Sequence, residues 1–152
     1  MSKKITASIL AFSLLLLLSF SAFAATPEKE IEQLSNGYYI VTEIEGDSMI
    51  ALLSTTTTKT KTSTCYNNSN EKVWSVSVTG TFSYGNGTAT CLSASCSAKS
   101  YNSTWSVGNK TSSKSGNKAI ASATGVQYYN GHEVQSIKRT VTLTCSPTGQ
   151  FS

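Results

Sequence analysis

The chain has 152 residues, of which 13% are charged, with twelve Lys and Arg against eight Asp and Glu, a formal net charge of +4 and a single histidine. That length makes one domain. One histidine and few acids leave little for nucleophile–base pairs, metal clusters or two-carboxylate hydrolysis.

Lys3 and Lys4 precede an apolar run that contains five consecutive leucines, Leu14 to Leu18, and closes on Ala22-Phe23-Ala24. Basic n-region, apolar h-region and small-x-small closure are the parts of a secretory signal peptide. Residues 1–24 are therefore expected to be removed after Ala24. Neither a lipidated cysteine near the cut nor an apolar tail at Cys145 to Ser152 suggests a stable membrane anchor after cleavage. The expected localisation is secreted, extracellular and bacterial.

Residues 25–36 form an acidic arm, expected to hold one helical turn around Ile31 and Leu34. Between Thr26 and Asp47 stand six acids and one lysine; from Ser48 onward, nine basic residues stand against Glu71 and Glu133. A basic domain of this kind can meet anionic polymers such as teichoic acids or acidic glycans. Secretion argues against nucleic acid as a partner.

Residues 37–152 are expected to be a single all-β domain. Ser and Thr supply 41 of the 128 residues after Ala24, and interleaved Trp, Tyr, Val and Ile favour strands over disorder. Gly37 to Ile44 has Tyr38, Ile40 and Ile44 on one face. Gly46-Asp47 is a turn and Met49 to Leu53 a short apolar piece. In Thr55 to Tyr66, period-2 alternation separates Thr56, Thr58, Thr60, Thr62 and Thr64 from Thr57, Lys59, Lys61 and Ser63, and the lysines are assigned to an outer, edge-guarding face. In Val73 to Tyr84, Trp74, Val76, Val78, Phe82 and Tyr84 share a buried face with Gly80.

Gly85-Asn86-Gly87 marks a hairpin. A Gly85-Asn86 loop would set Phe82 opposite Ala89, point Cys91 inward and point Cys96 outward. Ser97 to Val107 reads as one strand with Tyr101, Trp105 and Val107 in phase, and Ser113 to Asn117 as a turn. Asn130-Gly131 predicts a second hairpin, with Ile120 opposite Val141. Its apolar face would then be Ile120, Val126, Tyr128, Ile137, Val141 and Leu143, with Arg139 at the rim. The fold predicted is an antiparallel β-sandwich, immunoglobulin-like, with a small β-barrel as the alternative.

Four cysteines in a secreted chain favour two disulfides over a metal. Inward parity pairs Cys91 with Cys145, and outward parity pairs Cys65 with Cys96, among three possible connectivities. Three stretches carry a resemblance: Val73-Trp74-Ser75-Val76-Ser77-Val78-Thr79-Gly80-Thr81-Phe82-Ser83-Tyr84, Lys114-Ser115-Gly116-Asn117-Lys118-Ala119 and Thr140-Val141-Thr142-Leu143-Thr144-Cys145-Ser146. The chain resembles, over residues 37–152, a domain-of-unknown-function family of small secreted proteins from Gram-positive bacteria. The resemblance implies secretion and an all-β domain, and Cys91 and Cys145 match its positions; it implies no activity.

No catalytic residue, metal ligand or cofactor is expected. His132 lies beside a hairpin tip with Glu133 on the opposite strand face, and Glu43 and Glu45 sit on an outer face. Binding is the better reading. Tyr39, Tyr129 and Trp105 are the candidate ligand-contact aromatics, for a cell-wall polymer or glycan. A non-enzymatic envelope-associated binding module is expected, with a disulfide-stabilised secreted toxin or inhibitor as the alternative.

Overall fold

The computed structural model describes residues 29–45 and 55–152. The expected signal peptide, the Gly46-Asp47 turn and the Met49 to Leu53 piece lie outside the described residues. Among the described residues, eight antiparallel strands form two sheets: β1 (Glu30–Gln33), β2 (Tyr39–Glu45), β3 (Thr55–Tyr66), β4 (Lys72–Gly85) and β5 (Thr88–Ser100) in one, β6 (Trp105–Ser115), β7 (Lys118–Tyr129) and β8 (His132–Thr144) in the other. The fold is an all-β sandwich, and the sheets do not close into a barrel. Strands follow sequence order in both sheets. The likeness to the immunoglobulin fold therefore stops at the sandwich, because that fold needs Greek-key connections.

The core forms where large residues of β4 meet small residues of β7. Trp74, Val76, Val78 and Phe82 are buried on the inner face of β4, as their alternation predicts, against Ala119, Ala121 and Ala123 of β7 and Val141 and Leu143 of β8. A Cβ on Gly125 would stand 2.4 Å from the Trp74 ring, and one on Gly80 would stand 2.5 Å from Phe82 and 2.7 Å from Ala119. Both glycines are thus required by close approach of the sheets.

Several expected faces are corrected, each by a register shift. The β4–β5 loop is Asn86-Gly87, with φ of 51° and 77° and Gly85 opposite Thr88, a turn of positive φ at both central residues. A shift at Thr81/Phe82 then sets Phe82 opposite Cys91 and leaves Leu92 unpaired, so Cys96, opposite Val78, also points inward. In the β7–β8 hairpin, Tyr129 does pair with His132, but a shift at Gln127/Tyr128 leaves Val134 unpaired and sets Ala121, not Ile120, opposite Val141. Leu92 and Val134 are exposed accordingly, since the extra residue of a bulge leaves the ladder and flips parity beyond it.

The lysines of β3 are also reassigned. Lys59 pairs with Gly80 and Lys61 with Val78, so both lie on the inner parity, and the threonines form the outer face. There Thr58 meets Thr81 at 3.0 Å, Thr60 meets Thr79 at 2.8 Å and Thr62 meets Ser77 at 2.8 Å through their hydroxyls. Lys61 is accommodated because the flank beside β8 is open, with cavities lined by Lys61. Residues 30–33 of the acidic arm form strand β1, not a helical turn, and pair with β2 from Glu30↔Thr42 to Gln33↔Tyr39. The segment Ser97 to Val107 is broken at Tyr101, where the chain crosses from β5 to β6.

Candidate functional site

Tyr39, Tyr66 and Tyr101 gather at one end of the sandwich, the end at which Trp74 meets Gly125. Tyr39 and Tyr66 are cross-strand partners on the outer face of the five-stranded sheet, since the Ile40–Cys65 pair beside them is buried inside. Their rings stack with centroids 5.1 Å apart and planes 7° apart. The β3–β4 turn fixes one of them. Asn67 Oδ1 accepts the backbone N–H of Ser69 at 3.0 Å and of Glu71 at 2.9 Å, which closes the turn as an Asx motif. Asn70, at φ 61°, thereby presents its Oδ1 to the Tyr39 hydroxyl, which donates at 3.0 Å.

Next to this pair lies Tyr101, anchored by its backbone N–H to the Val73 carbonyl at 2.8 Å and by a hydroxyl contact with Ser75 at 3.2 Å. Two ammonium groups bracket its ring, Lys99 at 5.0 Å and Lys72 at 6.0 Å from the centroid. Both are within cation–π range. The corner therefore offers aromatic faces, phenolic hydroxyls and two cations on one surface. Tyr66, Tyr101, Lys72 and Lys99 were not singled out as ligand contacts in the sequence; the signal available was the recurrence of Tyr near Lys at strand ends.

Of the three aromatics proposed from the sequence, the structure brings only Tyr39 to this corner. Tyr129 is 69% exposed at the β7–β8 tip, on the other sheet. Trp105 is corrected outright: it is 5% exposed and belongs to the core, with the edge of Tyr38 at 5.7 Å. It opens β6 on the inner parity, where the crossover from β5 folds it under the sheets. His132 is exposed opposite Tyr129, and Glu43 and Glu45 lie on β2 opposite Thr62 and Thr60. Glu43 and Glu45 share one face of β2, and His132 lies on β8 in the other sheet.

All four cysteines are thiols in the structure. Cys91 and Cys145 converge at the end opposite the Tyr39, Tyr66 and Tyr101 corner. The Cys91 backbone N–H donates to the Gly116 carbonyl at 2.8 Å and that of Cys145 to the Asn117 carbonyl at 3.0 Å, so one turn holds both. Burial pushes both thiols up, and the proximity of Cys91 raises Cys145 further. The expected Cys65–Cys96 bridge is excluded by register. Cys65 is opposite Trp74 on one side of β4, and Cys96 is opposite Val78 on the other. Two strand spacings across and four residues along put them roughly 16 Å apart, against the ~7 Å limit between bridged Cα atoms. Burial pushes the Cys65 thiol up to about 11, partly offset by the neighbouring Trp74 indole. That contact is too loose to be a hydrogen bond, and Trp74 Nε1 is buried without a partner among the described residues.

Among the described residues, no group of three or more His, Cys, Asp or Glu is placed to hold a metal ion, and no helix is long and apolar enough to cross a membrane. Comparison with protein-family models, curated proteins and solved structures finds no match.

Proposed function

We propose that this is a secreted, non-enzymatic binding module of a bacterial envelope, of the small Gram-positive family it resembles, and that its ligand is an anionic cell-wall polymer or glycan. The observation that carries this reading is the corner formed by the stacked Tyr39–Tyr66 pair and by Tyr101 between Lys72 and Lys99. Sugar rings present C–H faces that pack on aromatic rings, while lysines attract acidic groups with a salt dependence set by screening. The excess of basic residues after Ser48 supports an anionic partner.

The reading includes one disulfide, Cys91–Cys145, formed when the two thiols lose two protons and pass two electrons to an oxidising disulfide outside the cell. Their convergence on the Gly116-Asn117 turn supports this pairing. Cys65 and Cys96 stay reduced.

Sedimentation with purified Gram-positive cell walls tests the binding. The wild-type protein is expected in the pellet at low salt and released as salt rises. Combining Tyr39→Ala with Tyr101→Ala, or Lys72→Gln with Lys99→Gln, should weaken binding about tenfold or more, whereas His132→Ala should not. Wild-type protein that stays in the supernatant, or corner variants that pellet equally well, would overturn the proposal.

A further inference from the structure

The two sheets are joined at one flank by the β5–β6 crossover and are open at the other, between β1–β3 and the free edge of β8. Two cavities of about 270 and 210 Å³ lie on this open flank. Glu30, Thr42 and Lys61 line both, so the two adjoin as lobes of one cleft. The floor of the smaller lobe is polar and fixed. Thr42 and Ser63 are cross-strand partners, both buried, and their hydroxyls meet at 2.7 Å. Arg139 of the opposite sheet reaches Thr42 Oγ1 at 3.4 Å and Ser63 Oγ at 3.5 Å, and Glu32 meets its charge. Val141 supplies an apolar wall.

Two charges of opposite sign are left over in this lobe. Lys61 stands opposite Val78 on the inner parity and is half-buried, while Glu30 stands opposite Thr42 and is exposed at the mouth. They line the same space, yet neither is ion-paired with the other or with another described residue. Lys29 faces the larger lobe only. An ammonium turned toward the core carries a desolvation cost unless water or a ligand meets it. A ligand with one charge would meet one of these two groups and be repelled by the other. A molecule carrying both charges satisfies both. The volume, below the roughly 300–1,000 Å³ of sites for drug-sized ligands, restricts the occupant to a small one.

We infer that this cleft binds a small zwitterion of the α-amino acid class, with its carboxylate on the Lys61 ammonium, its ammonium on the Glu30 carboxylate and its side chain along Val141. The Thr42 and Ser63 hydroxyls face the same lobe and add neutral hydrogen bonds. The site lies between the sheets and uses no residue of the outer corner, so the inference does not rest on the glycan binding proposed there.

The probe is glycine, the smallest such zwitterion, with acetate and methylammonium as its single-charge halves. In titrations of the wild-type protein followed by amide and methyl chemical shifts, glycine should move Thr42, Ser63 and Val141 saturably. Each half should bind about tenfold more weakly, or less well still, because one charged hydrogen bond is missing. Lys61→Met, which suits an inner-face position, and Glu30→Gln should each weaken glycine binding by about the same factor. Tyr101→Ala, in the outer corner, should leave it unchanged. Absence of a saturable glycine response, acetate bound as tightly as glycine, or full glycine affinity in either charge variant would overturn the inference.

Discussion

At the scale of single residues, the core depends on absent side chains as much as on present ones. Gly125 exists to admit the Trp74 ring and Gly80 to admit Phe82. Gly125→Ala should therefore lower stability by about 1–3 kcal/mol, the usual range for overpacking, as read from a urea or thermal unfolding curve. Gly108→Ala is the control: a Cβ there meets nothing within 4 Å, and a change below ~0.5 kcal/mol is expected. An equal loss at both positions would contradict the packing described. The large half of this core was legible in sequence, because Trp74, Val76, Val78 and Phe82 alternate without interruption. The small half was not. Ala119, Ala121, Ala123 and Gly125 carry little hydrophobic signal, and the neighbouring Ile120 and Val126 outweigh them in any pattern count.

At the scale of strands, a single extra residue decides which face a side chain takes. Strand β4 and the Asn130-Gly131 hairpin were legible, since turn chemistry and alternation agree there; the first hairpin was legible in place, but its loop is Asn86-Gly87 and not Gly85-Asn86. Beyond Leu92 and Val134 the parity count fails, because an unpaired residue on one strand leaves its partner strand's alternation intact and gives no local signature. Cys96 and Arg139 show the two outcomes. Cys96 turns inward against the expectation, whereas Arg139 reaches the rim as expected, though by a different register. It follows that Leu92→Thr and Val134→Thr should each change stability by less than ~0.5 kcal/mol, the side chains being exposed. Deleting either residue should also leave unfolding cooperative, because the residues on both sides of the bulge keep their partners and faces and only the local bend is lost. A deletion variant that loses cooperative unfolding would contradict the register described. The lysines of β3 were misplaced for a different reason: lysine on an inner face is unfavourable unless that face is open, and openness of a flank is a property of two sheets that one strand's sequence does not carry.

At the scale of the whole molecule, the two ends of the sandwich are chemically distinct. One end carries the tyrosine–lysine corner. At the other, Cys91 and Cys145 meet at the Gly116-Asn117 turn, and the C-terminal tail folds back so that Phe151 packs edge-on to Phe82 at 5.3 Å and to Tyr84 at 6.4 Å. A bond between Cys91 and Cys145 closes a loop of 55 residues and would tie the two sheets together at that end, for about 4 kcal/mol of chain-entropy stabilisation. Intact-mass analysis of the natively produced protein checks it: under denaturing conditions two thiols, Cys65 and Cys96, should alkylate without reduction and four only after it. Four alkylations without reduction would rule the bond out. The tyrosine–lysine corner belongs to the outer face of the larger sheet, away from the open flank.

The binding proposed for this corner is tested most directly by amide chemical-shift mapping of the protein titrated with a soluble teichoic acid. Salt-sensitive shifts centred on Tyr39, Tyr66, Lys72, Lys99 and Tyr101 are expected, with the Gly116-Asn117 end unmoved. No shifts at saturating polymer, or shifts centred on the β7–β8 tip around Tyr129 and His132 with the corner unmoved, would contradict it.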